Sequence, residues 1–175
     1  SRIGNADRWM TPHSVYACRD GIDDEWVAIA CENDDQWRAL AGAIGAGKLS
    51  GLGVSQRRER EGELDELIQS WCLSRSAVEV TELLQRQGVP AHQVQNSPEV
   101  ISDKQLLYRN HFVEVPHEIY ETTWAEQYGF RLSKSDGTPT RSGPLWGEHN
   151  FEILADLLGY DGDQIADLVI AGVLE

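Results

Sequence analysis

Five consecutive residues, Asp7-Arg8-Trp9-Met10-Thr11, place a carboxylate, a guanidinium, an indole, a thioether and a hydroxyl within one short stretch of chain. The segment around them, from Gly4 to His13, is polar and aromatic, ends on Pro12-His13 and has neither helical nor alternating period. It reads as an ordered loop. Such loops carry ligand-contacting groups when a rigid element anchors them, and others are plain domain entrances. The anchor here is a hairpin. Ser14-Val15-Tyr16-Ala17-Cys18 is short and β-favouring, Asp20-Gly21 is a turn signal, and Trp26-Val27-Ala28-Ile29-Ala30-Cys31 is apolar enough for a strand buried on both faces.

The other chemically capable residues do not assemble into a self-contained active site. Arg57, Arg58 and Arg60 form the only dense basic cluster and are long enough to meet a ligand phosphate, but the neighbouring Glu residues make a solvated helix face the simpler expectation. The four glycines between Gly45 and Ser55 surround Lys48, yet the spacing is wrong for a phosphate-binding loop and no hydroxyl residue follows the lysine. A flexible connector is expected there. The 5 His are scattered without the i, i+4 spacing of a helical metal site. The 3 Cys (Cys18, Cys31, Cys72) sit singly in apolar runs, as small buried hydrophobes do. Glu148-His149 is the best acid and base pair by sequence, although a glutamate at a helix start is equally explained by the helix dipole.

Composition limits the partners. A chain of 175 residues with 41% hydrophobic and 25% charged residues is globular rather than disordered. A formal net charge of -14 excludes a broad basic face for nucleic acid or anionic membrane. No secretory leader and no apolar run near the roughly 18 residues of a membrane span is read. Reduced thiols and a cytoplasmic location are the expectation.

The elements that would position the loop follow in order. Asn33 caps a helix to Ile44 with Trp37, Leu40, Ala41 and Ile44 on one face; Gln56 to Cys72 reads as one long helix with Leu64, Leu67, Ile68 and Trp71 inward. Ser76 and Glu79 form a capping box for a helix from Ala77 to Gln87, stopped by Gly88, and a short extended piece leads to Val94. Ser97-Pro98 opens a helix running towards Arg109, and Phe112 to His117 is a strand near a sheet edge. Beyond it the period weakens: Gly129 to Ser133 is a candidate strand, Ser135 to Pro139 a turn, Phe151 to Leu158 an amphipathic helix, and Asp161 the cap of a last helix through Ile170.

Taken in order, Asn5-Ala6, Pro12 to Cys18, Glu25 to Ala30, Gly88-Val89-Pro90-Ala91, Phe112-Val113-Glu114-Val115 and above all Pro144-Leu145-Trp146-Gly147-Glu148-His149-Asn150 resemble the C-terminal part of a family III CoA-transferase. This is the CaiB/BaiF-like superfamily of formyl-CoA transferase, carnitine CoA-transferase and α-methylacyl-CoA racemase. The resemblance implies a mixed α/β fold, with a small helix-plus-antiparallel-sheet domain and a C-terminal tail that returns to a Rossmann-like large domain in the full-length protein. Residues 1–13 would be linker and active-site loop, 14–115 the small domain and 116–175 the return segment. It also implies an interlocked homodimer.

The chemistry implied is transfer of CoA from an acyl-CoA to a carboxylic acid through an enzyme aspartyl-CoA thioester. Family members are about twice as long, and their nucleophilic Asp lies in the N-terminal half, so no catalytic residue is assigned in this chain and the isolated piece is expected to be inactive. The CoA thioester is a substrate, and no permanently bound cofactor, metal, nucleic acid or membrane is implied. In formyl-CoA transferase a glycine-rich loop closes over the reactive anhydride, and matching outward from Asn5-Ala6 and Pro12 sets Asp7, Arg8, Trp9, Met10 and Thr11 in its place. This loop lacks glycine, which puts a hinged flap in doubt and makes Arg8 a candidate for a carboxylate and Trp9 or Met10 for an acyl group. An acyl-CoA racemase of the same superfamily and a non-catalytic assembly module are the competing readings.

Overall fold

The computed structural model describes residues 2–19 and 25–174. The expected Asp20-Gly21 turn lies outside the described residues. The chain forms two compact units, Ser1–Asn96 and Ser97–Glu175.

In the first unit β1 (His13–Ala17) pairs antiparallel with β2 (Trp26–Ala30), which pairs antiparallel with β3 (Ala91–Gln93). The register sets Tyr16 opposite Val27, and both are buried with Ile29 against the helices. Trp26 and Ala28, on the alternate positions of β2, are exposed. The expected burial of this strand on both faces is therefore corrected: its apolar run hides an ordinary one-sided alternation, with the Val27 and Ile29 side buried and the Trp26 and Ala28 side exposed among the described residues.

Helix α1 (Asp34–Ala43) starts as its sequence requires, with the Asn33 side chain accepting from the Gln36 amide at 3.0 Å and two acids in the first turn. It buries Trp37, Leu40 and Ala41. The stretch expected as one helix from Gln56 is two, α2 (Val54–Glu59) and α3 (Glu61–Cys72), parted at Arg60, whose φ of -114° is not helical. On α3 the inward residues are Leu64, Ile68 and Cys72, while Leu67 is exposed. Helix α3 is tied to β1 by polar contacts: Tyr16 donates to Asp65 at 2.7 Å, and the Gln69 amide both accepts from Ala17 N at 3.1 Å and donates to Ala17 O at 2.8 Å. Helix α4 (Ala77–Arg86) opens with the full capping box, Ser76 Oγ accepting from Glu79 N and Glu79 accepting from Ser76 N, and ends before Gly88 at φ +76°. One hydrophobic core, including Val80, Leu84 and Val89 from α4 and the turn after it, joins these elements.

In the second unit α5 (Ser97–Ile101) and α6 (Lys104–Tyr108) replace the single helix expected towards Arg109, because Asp103 leaves the helical region and caps α6 through the amides of Gln105 and Leu106. Strand β4 (Phe112–His117) forms as expected and pairs antiparallel with β5 (Glu121–Glu126), which the sequence did not reveal. The proposed strand at Gly129–Ser133 is not one. There Tyr128 and Phe130 stack on each other, ring centroids 5.2 Å apart. Residues Glu152–Leu157 wind as a π-helical segment, and α7 (Gly162–Ile170) is capped by Asp161 as expected. Among the described residues of this unit only Val115 and Ile165 are buried apolar side chains. Tyr108, Trp146, Leu157 and Ile170 stand 77% or more exposed.

The cap on α4 is directly testable. Ser76→Ala removes one acceptor of the box, and the unfolding free energy should fall by about 1 kcal/mol, read as a lower urea midpoint at unchanged slope.

Candidate functional site

The loop Asp7–Thr11 is held by its own side chains first. Asp7 Oδ1 accepts from the amides of Trp9 at 2.6 Å and Met10 at 2.9 Å, closing a turn that needs no glycine. These amides, Trp9 foremost, hold the Asp7 carboxyl below the ordinary aspartate value of 3.8. The Thr11 hydroxyl donates to Met10 O at 2.7 Å, and His13 Nδ1 lies 2.6 Å from Asn5 O at the loop's start. Thr11 N donates to Cys31 O and Cys31 N to Pro12 O, so the end of the loop is spliced onto the strand pair.

What this backbone presents outward is Arg8 and Trp9. Trp9 is 80% exposed, and the Arg8 guanidinium makes no hydrogen bond or ion pair among the described residues. Met10 is half-buried and Thr11 fully buried. A cleft of about 400 Å³ opens beside the loop's entry, lined by Asn5, Ala6, His13, Glu61 and Asp65 among others. Its carboxylates disfavour an anionic guest. Residues 7–11 do not line it, so the guanidinium and indole face elsewhere.

The loop's second support comes from a residue expected on a solvated face. Arg57 is fully buried. Its Nε donates to Thr11 O at 2.7 Å, and its Nη1 donates to Asp34 at 2.6 Å and to Leu52 O at 2.8 Å. Its guanidinium carbon lies 5.8 Å from the centre of the Trp37 ring. Next to it, Arg58 donates to Arg8 O. Of the basic cluster Arg58 and Arg60 lie on the solvated side as expected, and only Arg60 also pairs with a neighbouring glutamate, forming a fork with Glu63. The glycine-rich stretch is corrected with it: residues Gly47–Leu49 form a turn of 3₁₀-helix, Leu49 O accepts from the Trp37 indole at 2.9 Å and Leu52 O from Arg57, so the segment is a structured wrap. One signal for Arg57 was present in the sequence. Counting back seven residues along the Leu64–Ile68 stripe lands on it, a cation in the line of a buried face.

The remaining candidates are occupied elsewhere. Cys18, Cys31 and Cys72 are buried free thiols, and burial pushes Cys31 and Cys72 up to about 12. Glu148 accepts from Leu145 N at 2.6 Å and His149 Nδ1 lies 3.2 Å from Glu152, so each serves its local turn. Among the described residues no group of three or more His, Cys, Asp or Glu could hold a metal, and no helix is long and apolar enough to cross a membrane.

With the geometry in place, comparison with known proteins supplies the class. The family model described as CoA-transferase family III matches residues 1–150, and this chain belongs to that family. The chain is 31% identical over 171 residues to succinyl-CoA–D-citramalate CoA-transferase of Chloroflexus aurantiacus, covering 95% of this chain and 42% of that protein. It is 30% identical over 118 residues to formyl-CoA:oxalate CoA-transferase of Bradyrhizobium diazoefficiens, covering 67% and 28% respectively. In structure it matches a CaiB/BaiF family protein from Brucella suis with a TM-score of 0.69 at 24% identity, over 89% of this chain and 40% of that one. The chain thus spans about two-fifths of the length of the Chloroflexus and Brucella proteins and less of the Bradyrhizobium one.

Two measurements check the site's chemistry. The Asp7 anchor requires the carboxylate, so it is fully present above the ordinary value of 3.8 and is lost as pH falls through the lowered folded value. Hydrogen exchange at the Trp9 and Met10 amides should accelerate, relative to intrinsic rates, only below pH 3.8, and in Asp7→Ala at every pH. Iodoacetamide at mildly alkaline pH should leave Cys31 and Cys72 unlabelled in the folded protein and label both after denaturation.

Proposed function

We propose that this chain is the C-terminal part of a CoA-transferase that moves CoA from an acyl-CoA to a carboxylic acid, with Asp7–Thr11 forming one wall of the substrate site. The observation that carries the reading is the family match over residues 1–150, taken with a loop whose backbone is fixed while Arg8 and Trp9 stay uncommitted. Arg8 suits the carboxylate of an acid substrate. Trp9 and Met10 suit the acyl chain. The relatives act, by their names, on succinyl-CoA with D-citramalate and on formyl-CoA with oxalate, which supports small carboxylic acids as the acceptor class.

The reaction splits one transfer into covalent steps. An aspartate in the part of the protein that this chain does not span attacks the thioester carbonyl and expels CoA thiolate, leaving a mixed anhydride. The thiolate attacks the aspartyl carbonyl and expels the first acid, leaving aspartyl-CoA. The second acid attacks that thioester, again releasing thiolate, and the thiolate takes the new acyl group from the new anhydride. Both anhydrides hydrolyse readily, so a wall that excludes water protects them. A backbone tied as this loop is provides such a wall without a hinge.

The division into loop 1–13, small domain 14–115 and return segment 116–175 belongs to this proposal, as do the interlocked homodimer and the cytoplasmic location. The exposed aromatic and aliphatic side chains of Ser97–Glu175 support it, since large apolar surface at this density is ordinarily covered by partner structure. The remainder of the large domain is the assigned cover.

The test uses the full-length protein. With succinyl-CoA and small dicarboxylic acids, exchange of CoA should occur, and mass spectrometry of the trapped enzyme should find a CoA adduct on an aspartate outside this chain. Arg8→Ala should lower kcat/KM by about 10- to 100-fold, as loss of a charge-assisted contact to substrate does. Exchange without any enzyme-bound adduct, or an adduct within these residues, would reject the mechanism. Full turnover in Arg8→Ala would reject its role.

A further inference from the structure

A loop without glycine that must present its side chains in fixed directions needs its carbonyls held from outside, and α2 reaches it at two of them. We propose that Arg57 is the positioning residue of the substrate loop, with Arg58 as its second hold, an inference that rests on the reading of Asp7–Thr11 as substrate-facing. The two adjacent arginines take the carbonyls of Thr11 and Arg8, the two ends of the segment that carries the free guanidinium, the indole and the thioether.

The path from Arg57 to the presented groups is short. Thr11 O is fixed at 2.7 Å, the Thr11 hydroxyl holds Met10 O at 2.7 Å, and the Met10 amide shares the Asp7 carboxylate with Trp9. A shift at Thr11 therefore moves Met10 and Trp9 directly. The same guanidinium also grips Leu52 O and Asp34, so Thr11 is referred to the first turn of α1 and to the glycine-rich wrap at once. Thr11 O is held by Nε while Asp34 and Leu52 O are held by Nη1, so a guanidinium places donors at two positions where a lysine has one nitrogen.

Stability alone does not account for an arginine here. Its side chain is wholly buried, its one ionic partner Asp34 is 60% exposed, and its Nη2 has no hydrogen-bond partner among the described residues. A buried cation with one unpaired nitrogen and a solvent-exposed ionic partner is weak evidence of a purely stabilising role. What the arginine supplies, and an apolar residue does not, is a donor for Thr11 O.

The experiment compares Arg57→Lys, Arg58→Ala, Trp9→Ala and wild type in the full-length enzyme, each with its urea midpoint, its exchange rate at the Met10 and Thr11 amides, and its kcat and KM. Arg57→Lys should lower kcat by about 10- to 100-fold, the range expected when reacting groups are misplaced by roughly 1 Å, with KM changed less than kcat and amide exchange in the loop accelerated. Arg58 is exposed, so Arg58→Ala keeps the fold and should shift the same quantities in the same direction by a smaller factor. Should Arg57→Lys fail to fold, Arg58→Ala decides alone. Wild-type kcat in the arginine variants while Trp9→Ala is impaired overturns the positioning role and leaves the loop's function standing. Wild-type kcat/KM in both Trp9→Ala and Arg8→Ala removes the substrate-facing reading, and this proposal with it.

Discussion

A guanidinium without access to water draws acceptors to itself, and at Arg57 three segments of Ser1–Asn96 supply them to Nε and Nη1. The first turn of α1 contributes the Asp34 carboxylate, the glycine-rich segment curls until Leu52 O is in reach, and the end of the loop turns Thr11 O inward. Trp37 lies beneath as an aromatic face and fixes the same wrap through its indole bond to Leu49 O. Three segments that are far apart in sequence thus share one donor. The Asp7–Thr11 loop is an extension of the core rather than an attachment to it.

The two units are built on different principles. Ser1–Asn96 has a continuous core in which strands and helices each bury one face. Ser97–Glu175 has hairpins, caps and turns that satisfy the backbone, with almost no apolar interior among its described residues. Local hydrogen bonding sets the shape of the second unit, while the hydrophobic effect has little to act on within it. A segment of that kind has little apolar burial of its own to stabilise it.

Much of this was legible in the residues. Asn33, Ser76 with Glu79, and Asp161 marked three helix starts correctly because a cap is a local event, decided by a side chain and an amide three residues apart. The hairpin strands and Phe112–His117 were equally plain. Strand β5 was hidden because its alternation sets Thr123 and Ala125 against an exposed Trp124, so no apolar period betrays it. The split at Arg60 was hidden because the chain's polarity continues smoothly across it. Arg57 was misplaced because neighbouring glutamates suggested ion pairs at the surface, whereas its acceptors are two backbone carbonyls and the distant Asp34, which no local sequence pattern advertises. The loop itself was visible as a composition, but the Asp7 turn that replaces glycine could be seen only in three dimensions.

Gln69 also limits strand addition at the edge of this sheet. Its amide pairs with both the N–H and the carbonyl of Ala17, imitating on the free side of β1 the two bonds that a neighbouring strand would make. An incoming strand would have to displace that amide and gain nothing in hydrogen bonds for doing so. The end of β1 is in effect already occupied, so a main-chain ladder, which accepts almost any sequence, is closed to an added strand at that point.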